Sequence, residues 1–583
     1  MDKYEVAEIL NEIAVLLELK GENPFKTRAY TNGARAIEAL TEPLDKIVAE
    51  GRLGEIKGFG KALQEKVATL VETGELEYYD KLKASAPEGL VAMTEIPGLG
   101  PKKVVAINKA LEIDTIDALE AACRAGRIAP LSGFGKKSES KILDGIEHRR
   151  KYASRHHLDE AMLLAEPILD DLRAHPDTIR CSTAGSLRRS KETVHDVDFL
   201  VSSREPGNII GWFVDQPDVQ SVTARGDTKA SVILGKKGLQ ADLRVVSDDE
   251  FPFALAYFTG SKEHNIVMRQ RAIQRGLRLN EYGLFKSKEE TRDPELRVNC
   301  ATEEEIFREL ELDYIPPELR EDHGEFEAAE LHTLPRLLEW TDLKGSLHNH
   351  SEWSDGRGTL REIADAMSDL GLSYWAITDH SKSSFQANGL DEKRLRQQIR
   401  EVAEVNRQLE DEGIDFRLLS GSEVDIHTDG SLDFDDDLLA ELDIVVASIH
   451  QSFQLEEKQM TERILKAAAN PHVHMIGHLT GRLLLSREAY KVNHQAIIDA
   501  CAETGTWIEL NASPYRLDMD WRHWQYAKSK GVKCVINCDA HRFEQAGHLR
   551  LGANVARKGW LTKEDVVNTR TLEELMSALR RAS

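Results

Sequence analysis

The hydrophobic pattern changes twice along the 583-residue chain. Residues 1–150 alternate amphipathic stretches with glycine-containing turns, which predicts short helices. Residues 151–310 combine helical stretches with short apolar runs such as VDFLVSS and ADLRVVS, which predict strands of an α+β unit. From about residue 341, apolar runs alternate with helical stretches, which predicts repeated βα units. At about 150 residues per domain, this length fits roughly three or four domains.

The C-terminal region is expected to form a distorted (β/α)7 TIM-like barrel, because seven predicted strands are separated by helices. The strands are Lys344–His350, Ser373–Thr378, Phe416–Glu423, Asp443–Ile449, Val473–Gly477, Thr506–Asn511 and Val532–Cys538. The whole chain is therefore predicted to be multidomain. Its predicted boundaries are 1–85 and 86–150 for two helical domains, 151–230 and 231–315 for two parts of the α+β unit, 316–338 for a linker and 339–583 for the barrel.

Composition excludes several classes of protein. Hydrophobic residues are 41% and charged residues 30%, an ordinary globular balance that argues against wholesale disorder or a fibrous repeat. No apolar run reaches 18 residues, so we expect no membrane span. The acidic N-terminus lacks the basic start of a secretory signal, and the six cysteines form no CxxC pair. We therefore expect a cytoplasmic protein.

Net charge alone argues against a nucleic-acid partner, because the chain carries −24 at pH 7. The charge is uneven, however. Residues 311–330 hold eight acidic residues and one arginine, and this acidic run with Pro316-Pro317 predicts the linker. Local sites elsewhere can still be basic, so bulk charge does not decide the function.

A glycine-containing hexapeptide occurs three times, each between two helical stretches: IKGFGK at 56–61, IPGLGP at 96–101 and LSGFGK at 131–136. The glycines permit a tight turn, and the start of the next helix favours an anion. Lysines follow each copy. This is the helix-hairpin-helix pattern, which binds a DNA phosphate without reading sequence; a plain turn is the alternative for any single copy. The predicted DNA contacts are Gly58, Gly60, Lys61, Gly98, Gly100, Lys102, Gly133, Gly135 and Lys136.

Paired aspartates form the first candidate catalytic group. Asp196 and Asp198 are two positions apart on one predicted strand, so both side chains point to the same face. A second strand adds Asp242. Three carboxylates on adjacent strands suit two Mg²⁺ ions that support in-line phosphoryl transfer. The Gly185-Ser186 turn and the Arg188-Arg189 pair are placed to bind a triphosphate.

These residues resemble the nucleotidyltransferase palm of family X DNA polymerases. The likeness covers GS-x-RR at 185–189, the three aspartates, YFTGS at 257–261, Asn265, Arg269 and NEY at 280–282. It implies that Asp196, Asp198 and Asp242 are catalytic metal ligands. It also implies that Tyr257 and Phe258 exclude a ribose 2′-hydroxyl and that Arg269 contacts DNA. The nucleotide-binding residues implied by the resemblance are Ser186, Arg189, Tyr257, Phe258, Gly260 and Asn265.

The N-terminal part resembles the small domain of the same family, which binds the 5′ side of a gap. Lys66 falls where some relatives carry a lysine that removes a 5′-deoxyribose phosphate, although it can equally be a solvated helix residue. Two positions depart from the family pattern: His195 and Ser190 stand where glycine is usual. An imidazole at 195 either obstructs the nucleotide or points outward.

Histidines mark the second candidate catalytic group, because twelve of twenty lie between residues 348 and 548. Nine imidazole and carboxylate side chains fall at the C-terminal ends of the predicted barrel strands, the face where barrel enzymes bind substrate. Nine such ligands are too many for one metal ion and suit about three. Three ions together can polarise a phosphate and activate water. The nine candidates are His348, His350, Asp355, His380, Glu423, His450, His478, Asp539 and His541.

This region resembles the polymerase and histidinol phosphatase (PHP) domain, with Arg482 and Arg516 as candidate phosphate binders. Both resemblances in this order are typical of bacterial and archaeal family X DNA polymerases. They imply gap filling in base excision repair, 3′→5′ exonuclease and apurinic-site cleavage. The implied ions are two Mg²⁺ in the palm and up to three Mn²⁺ or Zn²⁺ in the barrel. We expect a monomer that binds gapped or nicked DNA, dNTPs and DNA 3′ ends, and no membrane.

Two alternatives stay open from the sequence. In the first, the chain is a PHP phosphoesterase or nuclease whose polymerase half mainly positions DNA. In the second, it is a DNA end-binding scaffold with decayed sites, against which the three intact aspartates argue.

Overall fold

The computed structural model describes residues 1, 3–38, 40, 44–56, 58–94, 96, 99–152, 154–287 and 289–579. The chain divides into two compact units, Met1–Ser154 and Arg155–Ser583. The finer boundaries predicted inside these units stay predictions. Every helix in the described ranges is too short or too polar to cross a lipid bilayer.

The first unit is helical, in agreement with the sequence pattern. In helix α1, Val6, Leu10, Ile13 and Leu17 recur every three or four positions and are buried against the neighbouring helices. Its described helices are α1 Lys3–Leu19, α2 Pro24–Glu38, α3 Leu44–Ala49, α4 Lys61–Thr73, α5 Glu77–Ala84, α6 Glu88–Thr94, α7 Pro101–Leu111, α8 Ile116–Arg124 and α9 Lys136–Tyr152.

The first part of the second unit is an α+β fold around a five-stranded sheet in the order β2-β4-β7-β6-β5. Strands β4 and β7 are parallel neighbours, whereas the other pairs are antiparallel. The strands are β1 His156–His157, β2 Thr178–Thr183, β3 Thr193–Val194, β4 Asp196–Ser203, β5 Val219–Arg225, β6 Lys229–Leu234, β7 Leu239–Val246, β8 Arg278–Asn280 and β9 Gly283–Phe285. The helices are α10 Leu158–Ala174, α11 Gly185–Arg188, α12 Pro206–Val214, α13 Phe251–Thr259, α14 Lys262–Gln274, α15 Glu303–Glu309 and α16 Glu325–Glu330.

The acidic segment at 316–338 differs from the linker that its charge predicts. Leu319, Phe326 and Ala329 pack into the same apolar core as α14 and α15. Arg320 is fully buried, and its Nη1 lies 2.5 Å from Glu303 Oε1. Buried Glu325 accepts from the ring of His264 at 2.9 Å. Composition counts charges but does not show their partners, so these internal ion pairs were invisible in the sequence.

The remainder forms the predicted barrel of seven parallel strands, paired in chain order. The segments that follow the first and last strands also meet, because a parallel bridge joins Asn349 to Ala540. The strands are β10 Gly345–Ser346, β11 Tyr374–Ile377, β12 Arg417–Asp425, β13 Ile444–Ser448, β14 Met475–Ile476, β15 Trp507–Asn511 and β16 Cys534–Asn537. The helices are α17 Leu360–Asp369, α18 Glu392–Glu412, α19 Asp436–Leu439, α20 Glu457–Ala468, α21 His494–Thr504, α22 Trp524–Ser529, α23 His548–Lys558 and α24 Leu572–Leu579. The predicted fold class is thereby confirmed.

Glu303 is expected to be essential for the stability of the α15 region. It pairs with Arg320 and, through two hydrogen bonds of 3.0 and 2.6 Å, with Arg188. The substitution Glu303→Gln leaves the fully buried Arg320 and the half-buried Arg188 without their carboxylate. We expect the free energy of unfolding to fall by about 3–5 kcal/mol in denaturant titrations at pH 7. Glu304→Gln, at an exposed neighbouring position, is the control.

The loss of stability caused by Glu303→Gln should also depend on pH. Burial alone would raise the pKa of Glu303, but Arg320 and Arg188 outweigh it and lower the pKa from 4.5 to about 2. A carboxyl with a depressed folded-state pKa stabilises the fold fully above its unfolded pKa and loses that contribution as the pH falls. The difference between wild type and Glu303→Gln should therefore shrink below pH 4.5; a constant difference down to pH 3 would contradict this account.

Candidate functional site

The three predicted catalytic aspartates are brought together by the parallel pairing of β4 and β7. In that register Asp198 lies directly opposite Asp242. Asp196 is two residues before Asp198 on β4 and therefore shares its face. The structure thus places the three carboxylates at one end of two adjacent strands, as the sequence predicted.

Charge repulsion within this group supports its fit to a cation. Burial, followed by the neighbouring Asp196 and Asp242, raises the pKa of Asp198 to about 7. Although burial alone would raise the pKa of Asp242, hydrogen bonds from Ser231 and Lys229 lower it. Lys229 Nζ lies 3.0 Å from Asp242 Oδ2. Lys229 was missed in the sequence because only the β6–β7 pairing brings it to the site. A divalent cation is the usual solution for such converging carboxylates.

Gly185 is required by its close approach to Asp198. A Cβ at this position would lie 2.1 Å from Asp198 Oδ2, and the backbone has a φ of +60°. Ser186 follows half-buried in the same turn. Ser190 adopts a φ of +53°, in the left-handed region that favours glycine. His195 has an exposed side chain.

The two arginines after this turn have different surroundings. Arg188 is committed to buried Glu303, which corrects the expectation that both arginines bind a triphosphate. Arg189 donates from Nε to Glu321 at 3.0 Å and from Nη1 to the carbonyl of Thr259 at 2.7 Å. It lies close enough to Asp198 to lower the pKa of that carboxyl. Arg189 is therefore better placed than Arg188 to bind a triphosphate beside the aspartates.

The segment Tyr257–Gly260 ends α13 beside the sheet. The rings of Tyr257 and Phe258 pack edge to face with centroids 5.2 Å apart, and Phe258 also packs against Arg244. Asn265 donates to the carbonyls of Tyr257 (2.7 Å) and Gly260 (3.2 Å) and so fixes this turn. A Cβ at Gly260 would come within 2.6 Å of Asn265 Oδ1. Through these hydrogen bonds, Asn265 holds the Tyr257–Gly260 segment in place.

A cavity of about 330 Å³ opens beside helix α14. It is lined in part by Arg269, Arg278 and Asn280. The predicted DNA-contacting Arg269 is therefore exposed to a space that can receive a ligand.

At the barrel, all nine predicted ligands converge. Three groups of donor atoms each lie within 4.8 Å of one another, and His350 and His380 each belong to two groups. His478 completes the set, with Nε2 2.9 Å from Glu423 Oε1. The groups are His350, Asp355, His380 and His541; His348, His350 and Asp539; and His380, Glu423 and His450.

Unsatisfied nitrogens show that these residues fit metal ions. Among the described residues, His348 Nε2 is buried without a hydrogen-bond partner, although Glu423 Oε1 lies only 3.3 Å away. Buried polar atoms are normally hydrogen-bonded. A ring nitrogen whose lone pair faces a carboxylate oxygen is therefore suited to share a metal cation with that oxygen. Burial, with the nearby His541 and His380, lowers the pKa of His350 to about 3, which keeps its ring in the neutral form that binds metals. The same condition, a buried nitrogen without a hydrogen bond in the described chain, holds for His350 Nδ1, His380 Nδ1 and His478 Nδ1.

A second layer of carboxylates orients these rings. Glu509 Oε1 lies 2.7 Å from His348 Nδ1, and Asp425 Oδ1 lies 3.0 Å from His450 Nδ1. Such outer partners fix the ring orientation and raise the basicity of a metal-bound imidazole. Sequence reasoning missed both, although each lies on or next to a predicted strand close to a candidate ligand.

The metal-binding groups line a cavity of about 420 Å³. Arg516 faces this cavity, with Nε 3.5 Å from Asp539 Oδ2. Its Nη1 is buried and has no hydrogen-bond partner in the part of the chain that the structure describes. Arg482 does not face the cavity: it donates to the carbonyls of Arg516 and Leu517 and to Asp520. Of the two arginines expected to bind phosphate, the structure brings only Arg516 to the site.

The three hairpins of the first unit have the same local geometry where described. In each, the backbone N–H of the fourth residue of the hexapeptide donates to the carbonyl of the first. The three bonds run from Phe59 to Ile56, from Leu99 to Ile96 and from Phe134 to Leu131. Gly58 and Gly133 have φ values of +92° and +84°. Gly98 lies outside the described residues.

The surface of these turns is open. A Cβ built at Gly58, Gly60, Gly100, Gly133 or Gly135 would meet none of the described residues within 4 Å. Lys61, Lys102 and Lys136, at the starts of the following helices, are exposed. Backbone N–H groups at a helix start with an adjacent lysine suit a phosphate. Lys66, the candidate lyase residue, lies over the ring of Tyr78 at 4.7 Å.

Family models match four segments of the chain. These are a Helix-hairpin-helix domain at residues 1–76, a SAM-like Helix-hairpin-helix tandem at 90–147, a DNA polymerase beta thumb at 254–321 and a PHP domain at 346–513.

Similarity to curated proteins extends over the whole chain. It is 39% identical over 582 residues to the DNA polymerase/3′-5′ exonuclease PolX of Bacillus subtilis (strain 168), with 100% of both chains covered. It is 24% identical to DNA polymerase lambda of Rattus norvegicus, with 54% of this chain and 56% of that protein covered. A probable phosphatase of Thermoanaerobacter sp. (strain X514) is 30% identical, with 27% and 65% covered. With a palm, a thumb and a PHP barrel in this order, the chain belongs to the family X DNA polymerases that carry a C-terminal PHP domain.

Proposed function

We propose that this protein fills short gaps during DNA repair as a DNA polymerase and trims DNA 3′ ends through its PHP barrel. The observation that carries the proposal is the presence of two separate clusters of metal-binding side chains, one on the palm sheet and one at the strand ends of the barrel. The substrates are gapped or nicked DNA with dNTPs, and DNA 3′ ends, bound by a monomer. Cleavage at apurinic sites is the further reaction proposed for the barrel.

In the palm, Asp196, Asp198 and Asp242 would hold two Mg²⁺ ions. Mg²⁺ bound there would supply the positive charge that in-line phosphoryl transfer requires. The chain itself supplies the rest of the binding site. The Gly185-Ser186 turn and Arg189 lie beside the carboxylates and are proposed to hold the triphosphate. Asn265 keeps the Tyr257–Phe258 segment fixed as a wall for the sugar.

In the barrel, the nine converging ligands would hold up to three ions, Mn²⁺ or Zn²⁺. Bound ions polarise a phosphoester and activate water for its hydrolysis. Arg516 is proposed to bind the phosphate, because its Nη1 has no hydrogen bond in the described chain and the side chain faces the cavity. The cavity volume of about 420 Å³ lies in the range of sites that hold a nucleotide-sized ligand.

The three hairpins are proposed to hold the DNA backbone in the neighbourhood of a gap. They contact phosphate rather than bases, so binding is expected to be independent of sequence. This accounts for DNA binding by a chain whose net charge is −24, since only local surfaces need to be basic. Lys66 stays a candidate for 5′-deoxyribose phosphate removal.

The two activities should be separable by single substitutions. Asp196→Ala removes a palm carboxylate, so we expect extension of a one-nucleotide gap to fall by at least about a hundredfold, while Mn²⁺-dependent degradation of the 3′ end persists. His348→Ala should do the reverse and should lower the bound metal content of the purified protein. Primer extension, 3′-end degradation and elemental analysis measure the three quantities.

Asp218→Ala and His472→Ala are matched controls, because Asp218 is exposed on the palm and His472 lies outside the barrel cluster. Both should retain both activities. Loss of both activities in Asp196→Ala, with an unchanged melting temperature, would contradict the two-site proposal.

The hairpin lysines should contribute to the salt dependence of DNA binding. Removing one lysine–phosphate interaction reduces the slope of log K against log salt by about 0.9. Replacing Lys61, Lys102 and Lys136 together by alanine should therefore reduce the slope by up to about 2.7 for duplex DNA. Fluorescence anisotropy at several salt concentrations measures this slope. Lys109→Ala, an exposed lysine at the other end of α7, is the control; an unchanged slope in the triple variant would count against phosphate binding by the hairpins.

A further inference from the structure

A buried lysine of the barrel reaches into the polymerase half. Lys558, the last residue of α23, has no exposed surface. Its Nζ lies 2.6 Å from Glu321 Oε1 and donates to the backbone carbonyls of Arg189 (3.1 Å) and Glu318 (3.2 Å). The PHP barrel is thus in direct contact with the turn that carries the proposed triphosphate-binding arginine.

The carboxylate of Glu321 is shared between this lysine and the palm. The same oxygen that contacts Lys558 accepts from Arg189 Nε at 3.0 Å. Lys191 Nζ lies 3.8 Å from the other oxygen. Because Arg189 Nη1 is bound to the carbonyl of Thr259, Nη2 is the guanidinium nitrogen that is left without a hydrogen bond among the described residues. Glu321 therefore determines which edge of Arg189 can reach a phosphate.

The charges of this group depend on one another. Burial lowers the pKa of Lys558 to about 8, although Glu321 opposes the shift. Burial would raise the pKa of Glu321, but Lys558 and Arg189 outweigh it and lower the pKa to about 2. Without Lys558, a buried carboxylate would have only the palm cations as partners. An incompletely paired buried charge is costly, so it would hold Arg189 more strongly.

We propose that Lys558 is a positioning residue for nucleotide binding: by sharing Glu321, it keeps the outer edge of Arg189 directed toward the triphosphate. The inference rests on the proposed polymerase function. It makes the PHP barrel a part of the nucleotide site, in addition to its own role at DNA ends. A purely mechanical contact between palm and barrel would instead affect stability and both activities together.

The test uses the full-length protein on a one-nucleotide gap at saturating DNA. Lys558→Met keeps the length of the side chain and removes its charge. We expect the KM for the dNTP to rise about tenfold, a typical coupling between adjacent sites. We expect kcat and the 3′-end degradation rate to remain within about twofold of wild type. Lys558→Arg, which keeps the charge, should restore the KM toward wild type.

Lys528→Met is the matched control. Lys528 also pairs with a carboxylate, Asp565 at 2.7 Å, and donates to a carbonyl, that of Trp560 at 3.1 Å, but all these partners lie in the barrel. This variant should leave the KM for the dNTP unchanged. A wild-type protein that fails to extend the gap would refute the proposed polymerase function itself, whereas an active wild type with an unchanged KM in Lys558→Met would refute only the positioning role.

Glu321→Gln provides the second test and also covers the case in which Lys558→Met does not fold. It removes the carboxylate that orients Arg189 and should raise the KM with little change in kcat. Combined with Lys558→Met, it should raise the KM by less than the product of the two separate effects, because both act through the same arginine. Independent, multiplicative effects, or a fall in kcat as large as the rise in KM, would overturn the proposal.

Discussion

Parallel strand pairing is the constraint on which both candidate sites depend. Parallel neighbours bring the same ends of their strands to one edge, so residues that are far apart in sequence meet there. The β4–β7 pair places Asp198 opposite Asp242, and the seven parallel barrel strands collect nine imidazole and carboxylate groups on one face.

The same convergence creates an electrostatic problem that cations solve. In the palm, burial and the neighbouring carboxylates of Asp196 and Asp242 raise the pKa of Asp198 to about 7. In the barrel, ring nitrogens of His348 and His380 lie 3.3 and 2.9 Å from oxygens of Glu423 and make no hydrogen bond in the described chain. Both groups therefore have the chemistry of metal centres, and each is supported by neighbours that fix its geometry: Lys229 and Gly185 in the palm, Glu509 and Asp425 in the barrel.

Palm and barrel are joined by charges inside one compact unit. The acidic segment at the end of the thumb supplies Glu318 and Glu321, which pair with Arg557 and Lys558 of α23. Arg482 of the barrel lies 3.5 Å from Glu192 of the palm. The acidic residues therefore join distant parts of the chain, because their partners lie more than two hundred residues away in the sequence.

The sequence by itself determined the fold classes and nearly all of the metal-binding candidates. Strand alternation placed His348, His380 and Glu423 at strand ends, and the DxD spacing put Asp196 and Asp198 on one face, because these relations are local. Only the tertiary structure decided which charges meet. In the folded protein Arg188 pairs with Glu303. Arg516 faces the barrel cavity, whereas Arg482 packs away from it. The segment that was expected to be a linker is instead held in the core by buried ion pairs. The reason is that a side chain's partner depends on the three-dimensional packing of distant elements, whereas its position on a strand or helix depends mainly on near neighbours in the chain.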